Sequence, residues 1–197
     1  MPAYPGTVDW SGENPGMYLK DDPDGPFVTL LSFFRVVLSP HGRGHALLML
    51  RRPQDAGHAE NVCLTDNEPL ARWLVADYAS NFGAFKGTPG MQGLRYAGLD
   101  SVATSGDAAS TYTETVKGDG LEVAMSWSEI GQPFALELPL SHSATGKHIM
   151  LSLFAGAGKA LATVNGAALP GKPIPRDMVG KPITSAFLAF SETWIRP

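Results

Sequence analysis

Cysteine is nearly absent from this chain. Cys63 is the only one among 197 residues, which excludes an internal disulfide and points to a reduced, cytoplasmic setting. Flanked by Val62 and Leu64, it reads as a buried core thiol rather than a nucleophile. Charge is also sparse: 17% of residues are charged and the formal net charge is −4. With no basic patch interleaved with aromatics, nucleic acid is not an expected partner. No apolar run is long enough to span a membrane. The first residues lack the charged and apolar regions of a secretory signal.

Common catalytic signatures are missing as well. No G-x-S-x-G elbow surrounds Ser141-His142-Ser143, and nothing supports a Ser-His-Asp triad. The stretch Ala155-Gly156-Ala157-Gly158-Lys159-Ala160 looks like a phosphate loop. However, Leu153 stands where its first glycine belongs, and Ala160 replaces the magnesium-binding Ser/Thr. It reads as a tight turn. His41 and His45 are four apart, but Pro40, Gly42 and Gly44 break any helix that would put both on one face. His58 has no diagnostic spacing, so neither a metal site nor a cofactor is expected.

What is abundant is punctuation: 22 Gly and 16 Pro, in a chain that is 44% hydrophobic. This favours one domain of many short strands with a sizeable core. Residues 1–26, rich in Pro, Gly and Asp, read as an extended arm that Trp10, Met17 and Tyr18 pin to the domain or to a second subunit of a homo-oligomer. The domain proper then covers residues 27–197. Phe27 to Leu38 is a central strand, paired through the turn at Pro40–Gly44 with His45 to Arg51. Asn61 to Leu64, Leu94 to Thr104, Ser110 to Lys117, Leu121 to Trp127, Phe134 to Leu140, His148 to Phe154, Ala160 to Val164 and Ile183 to Ile195 follow. Gly166 to Lys181 reads as an irregular loop. The expected fold class is mainly β (α+β): about nine or ten strands in an antiparallel barrel or curved sheet, with one substantial helix.

That helix starts after Thr65-Asp66-Asn67, with Asp66 or Asn67 as cap, Pro69 in the first turn and Gly83 as the stop. At about 100° per residue, Leu70, Trp73, Leu74 and Tyr78 share a face, with Asp77 and Asn81 in its middle. Polar groups inside an apolar stripe need partners. Arg35, within the apolar central strand, either pairs with a carboxylate, holds a ligand's carboxylate, or reaches water from an edge. Glu192 lies between Phe190 and Trp194 and faces inward if they do. Glu114 and Glu122 are expected to be solvated. His41 and Arg43 at a loop tip suit the mouth of an anion site.

The run Leu64-Thr65-Asp66-Asn67-Glu68-Pro69, a strand end entering a helix, resembles acetoacetate decarboxylase and its superfamily. The later order of elements is similar too, through Ser143-Ala144-Thr145-Gly146 and the closing Ser191-Glu192-Thr193-Trp194. The resemblance implies a cone-like β-barrel with its site inside. In that family one lysine forms a Schiff base with a β-keto acid, and a neighbouring lysine lowers its pKa. Counted from Glu68, the pair would fall at Phe82 and Gly83, neither of which can form an imine. The expectation is therefore a protein that binds a small anionic organic metabolite, resembling a keto acid, without Schiff-base chemistry at the usual place. As an enzyme it would be a lyase or isomerase. Asp77 and Glu192 would supply acid–base groups, with Arg35, His41, Trp73 and Asn81 as ligand contacts. Two alternatives remain: a Schiff-base lyase using Lys86, and a non-enzymatic interaction module.

Overall fold

The computed structural model describes residues 4–197. Its strands are β1 (Thr7–Glu13), β2 (Gly16–Leu19), β3 (Thr29–Leu38), β4 (Gly44–Leu50), β5 (Val62–Thr65), β6 (Arg95–Gly98), β7 (Ser101–Gly106), β8 (Thr111–Gly118), β9 (Leu121–Ile130), β10 (Phe134–Leu138), β11 (Ile149–Val164), β12 (Ala167–Ala168), β13 (Pro175–Met178), β14 (Lys181–Thr184) and β15 (Ala186–Arg196). Helix α1 (Glu68–Asp77) is followed by short 3-10 turns at Ala79–Asn81 and Pro89–Met91. None of the described helices is long and apolar enough to cross a membrane.

The main sheet runs β6-β5-β4-β3-β1-β15-β11-β9-β8-β7, with β2, β10 and β12 attached alongside; β13 and β14 form a hairpin of their own. Pairing is antiparallel except between β5 and β6, which run parallel. The sheet is thus mixed and curved rather than a closed antiparallel barrel, because its edge strands β6 and β7 do not pair with each other. Residues 94–104, expected as one strand, break at Leu99-Asp100 instead. There the Leu99 N–H bonds the Thr65 carbonyl and the Asp100 N–H bonds the Lys117 carbonyl. That short segment spans the gap between the two edges.

Side chains alternate between two cores, as the period of a strand requires. On β3, Leu30, Phe34 and Val36 enter one cluster, while Leu31 and Phe33 enter the other. The second cluster draws on strands from both ends of the sheet, including Leu64 of β5 and Val116 of β8. It is therefore the concave interior, and Phe33, Met125, Trp127 and Leu188 fill it. The first cluster lies on the opposite face, under α1.

The expected N-terminal arm is not an appendage. Residues 1–3 lie outside the described residues, but β1 sits in the middle of the sheet between β15 and β3. Its composition hid this because Gly12 is a packing requirement: a Cβ there would stand 2.0 Å from the Arg35 carbonyl oxygen. The expected turn at Ala155–Lys159 is also corrected. It lies inside the 16-residue strand β11, where the pairing passes from β15 to β9. Its small residues fit a close approach, since a Cβ on Gly156 would stand 3.2 Å from the Thr184 nitrogen. The proline-rich stretch 166–181 contributes β12 and β13 and begins β14.

Helix α1 starts as its sequence dictates. Asn67 is the cap, its Oδ1 accepting the Leu70 N–H at 3.2 Å, with Pro69 in the first turn. Asn67 also donates to the carbonyls of His41 and Arg43, tying the β3–β4 turn to the helix. Asn67→Ala is expected to lower stability by about 1–2 kcal/mol in a urea melt; no change would mean that the cap is dispensable. The helix stops at Asp77, not near Gly83, because the 3-10 turn at Ala79–Asn81 takes over.

Candidate functional site

Glu192 reaches its position through a break in strand phase. Leu151 faces Thr193 and Leu153 faces Phe190, so Ser191 and Glu192 together stand opposite Ser152. Ser191 takes a φ of 50° at this bulge. An extra residue moves every later side chain to the other face. Phe190 accordingly packs against the concave core, whereas Glu192's neighbour Trp194 belongs to the helix-covered one. Glu192 does point inward, but with Trp194 and not with Phe190.

There it lines a cavity of about 290 Å³. The wall is largely apolar, with Phe82, Met150, Phe154, Phe187 and Trp194 prominent. The polar lining includes Asn14, Tyr18, Asn81 and Arg176 beside Glu192. The volume is at the small end of ligand pockets, roughly 300–1,000 Å³. This cavity opens on the helix-covered face and not within the curl of the sheet, where the resemblance would put it; that interior is packed with side chains.

Glu192 is 5% exposed. Burial pushes its carboxyl up to about 8, although the Trp194 indole pulls it partly back by donating to Oε1 at 2.7 Å. At neutral pH the group is therefore mostly protonated. A carboxyl in that state can donate a hydrogen bond and also exchange a proton. Burial likewise raises the Tyr18 hydroxyl, a shift the charge of Arg176 partly offsets. The Arg176 guanidinium lies 5.9 Å from the Tyr18 ring centre. Among the described residues it has no carboxylate within ion-pair distance.

Of the residues singled out in the sequence, Glu192 and Asn81 meet in this cavity. Asn81 is shared with a second cavity of about 330 Å³ that also contains Trp73 and Asp77. Asp77 is exposed rather than buried in the helix's apolar face, since α1 ends there and turns its buried side through Leu70, Ala71, Leu74 and Val75. His41 is an exposed loop residue whose ring packs against Trp73 at 5.1 Å. Lys86 is exposed and lines neither cavity, and no lysine lines the one that holds Glu192.

Arg35 points inward, but to the concave side. It pairs with Glu13 and with Glu114, to whose carboxylate it donates at 2.8 and 2.9 Å. Glu114, expected in water, is fully buried and also accepts from the Tyr112 hydroxyl at 2.7 Å and the Thr104 hydroxyl at 2.9 Å. Tyr112 and Val116, two residues to either side, were the signal that Glu114 shares their buried face. Asn14, Tyr18 and Arg176 carried no such signal, because they lie in stretches whose composition resembles loops.

The second cavity abuts a buried network. His148 Nε2 lies 2.7 Å from Asp9 Oδ2, the Tyr78 hydroxyl is 3.3 Å from both atoms, and Thr145 Oγ1 is 2.8 Å from His148 Nδ1. Arg196 also donates to Asp9. Burial alone would push the Asp9 carboxyl up; the hydrogen bonds and charges of His148 and Arg196 outweigh it and hold the carboxyl below its ordinary value. The network ties β1 and β15 to Tyr78, which caps the end of α1, and to His148, just ahead of β11. It lies behind Trp194, whose ring meets Tyr78 edge-on at 5.1 Å. Compared with family models, with characterised proteins and with solved structures, the chain has no significant match.

Proposed function

We propose that this chain binds a small organic acid in the cavity beside Glu192, and that its chemistry, if the ligand is turned over, is proton transfer without a Schiff base. One observation carries the reading: a buried carboxyl and an arginine with no carboxylate partner among the described residues line the same small, aromatic-walled cavity. The arginine fork suits a ligand carboxylate, with two parallel N–H···O bonds. The neutral Glu192 acid suits a second oxygen of the ligand or a proton in transit. The aromatic and methionine walls supply apolar contact for a short carbon skeleton. A lysine-based lyase draws no support from the geometry, as Lys86 is outside the cavity. The acetoacetate decarboxylase resemblance remains part of this proposal only as a fold-level analogy.

The reading is tested by thermal shift and calorimetry with a panel of small monocarboxylates at neutral pH. Binding should raise the melting temperature as ligand exceeds Kd. Arg176→Ala should weaken the affinity by about tenfold or more, the cost of losing a hydrogen bond to a charged group. If no acid in the panel binds, or if the arginine variant binds as well as wild type, the reading fails.

A further inference from the structure

Four buried side-chain polar atoms among the described residues have no hydrogen-bond partner: Trp10 Nε1, Asn14 Nδ2, Arg51 Nε and Ser143 Oγ. Only Asn14 belongs to a residue lining the cavity that holds Glu192. Asn14 is 2% exposed. Its Oδ1 accepts from the Ser32 hydroxyl at 3.1 Å and its backbone N–H donates to the Ala189 carbonyl. These two bonds fix the side chain and leave its amide N–H group unspent. Buried donors are nearly always paired, so an orphan at a cavity wall is placed to serve an acceptor inside the cavity, and a ligand oxygen would supply one. Asn14 follows β1, in which Gly12 stands opposite Glu192. The orphan donor and the buried carboxyl therefore approach the cavity from neighbouring segments, the turn after β1 and the adjoining strand β15.

Resting on the binding reading above, we propose that the ligand is an oxo acid with an enolisable C–H, that Asn14 Nδ2 donates to its carbonyl oxygen, and that Glu192 moves the proton on the neighbouring carbon. The step balances without a cofactor. The Glu192 carboxylate takes the proton from the carbon beside the carbonyl. The C–H electron pair becomes the enolate double bond, and the negative charge settles on the oxygen facing Asn14. Protonated Glu192 exchanges its proton with solvent through the open cavity, and the acid then delivers a solvent-derived proton to carbon as the enolate double bond collapses back to the carbonyl. A donor held in place before the charge develops stabilises that charge with little reorganisation. Arg176 holds the carboxylate, so the carbon skeleton is anchored at one end while the proton moves at the other. Glu192 must be ionised to accept the proton, so the rate should climb with pH and level off above about 8.

The probe is 2-oxobutanoate in D₂O, followed by the loss of its methylene proton signal in NMR, with butanoate as the partner that lacks a carbonyl. Wild type should speed the exchange over buffer, and Glu192→Gln should return it to the buffer rate. Asn14→Asp keeps the shape and the acceptor for Ser32 but removes the donor; it should slow exchange by roughly 10²–10³-fold. Asn14→Ser, which retains a hydroxyl donor, should lose less. Thermal melts of each variant report whether it is folded. Binding of both acids without exchange overturns this proposal and leaves the binding reading standing. Exchange that is indifferent to Asn14→Asp overturns the role of Asn14. Binding of neither acid overturns both.

Discussion

Glu192→Gln is expected to stabilise the fold by roughly 3–5 kcal/mol above about pH 8, while abolishing proton transfer. The sign follows from the direction of the shift. In the folded state the carboxyl titrates near 8, against an ordinary value of 4.5. Between those values the folded chain holds a proton that the unfolded chain has released. Wild-type stability should therefore fall as pH rises through this window, then level off above it. Glutamine is neutral throughout and keeps the oxygen that accepts the Trp194 indole N–H. The variant should match wild type at about pH 4 and pull ahead as pH rises. Urea denaturation of both proteins across the window measures the difference directly. A wild-type profile that is flat between about pH 5 and pH 8 would show that Glu192 ionises in water-like surroundings and is not a buried acid.

Removing Arg35 should have an effect of similar size and opposite sign. Arg35→Met leaves Glu114, with no exposed surface, facing a hydrophobic side chain in place of a guanidinium. Breaking one partner of a buried pair costs about 3–5 kcal/mol, most of it from the stranded charge. The Tyr112 and Thr104 hydroxyls still donate to the Glu114 carboxylate, but neither brings positive charge. Adding Glu114→Gln to Arg35→Met should recover much of the loss, because the charge then goes as well. A double-mutant cycle in urea reads the coupling between the two sites. A single-variant loss below about 1 kcal/mol would place the pair among solvent-screened contacts. Ligand affinity at the Glu192 cavity should survive these changes, since Arg35 lies on the concave face and the cavity on the other.

These two residues also mark how far the chain could be read before its fold was known. Both were recognisable as charges inside apolar runs, and both do point inward. Their partners were not recognisable. Glu114 meets Arg35 because β3 and β8 belong to distant parts of one curled sheet, and no local pattern encodes that curl. Asp77 departs from expectation for a different reason: α1 turns Leu70, Ala71, Leu74 and Val75 inward, which leaves its last residue on the exposed side, and the α-helical period does not continue to Asn81. Lys86 was offered by its place in sequence after the helix, and the chain there carries it to the surface.

Local physical chemistry was enough to determine the β-rich class, most of the individual strands, the helix start at Asn67 and Pro69, and the presence of an acid in the closing strand. Each depends on side-chain period, proline and glycine geometry, or capping, which act over a few residues. The tertiary structure alone decided which core Glu192 enters, since a one-residue bulge at Ser191 reverses the face of everything after it. It alone gathered Asn14, Tyr18 and Arg176 around that acid. They come from β2, β13 and the turn between β1 and β2, segments whose composition reads as loop. Strand register and sheet curvature bring such segments together, and these are set by pairing across the whole chain.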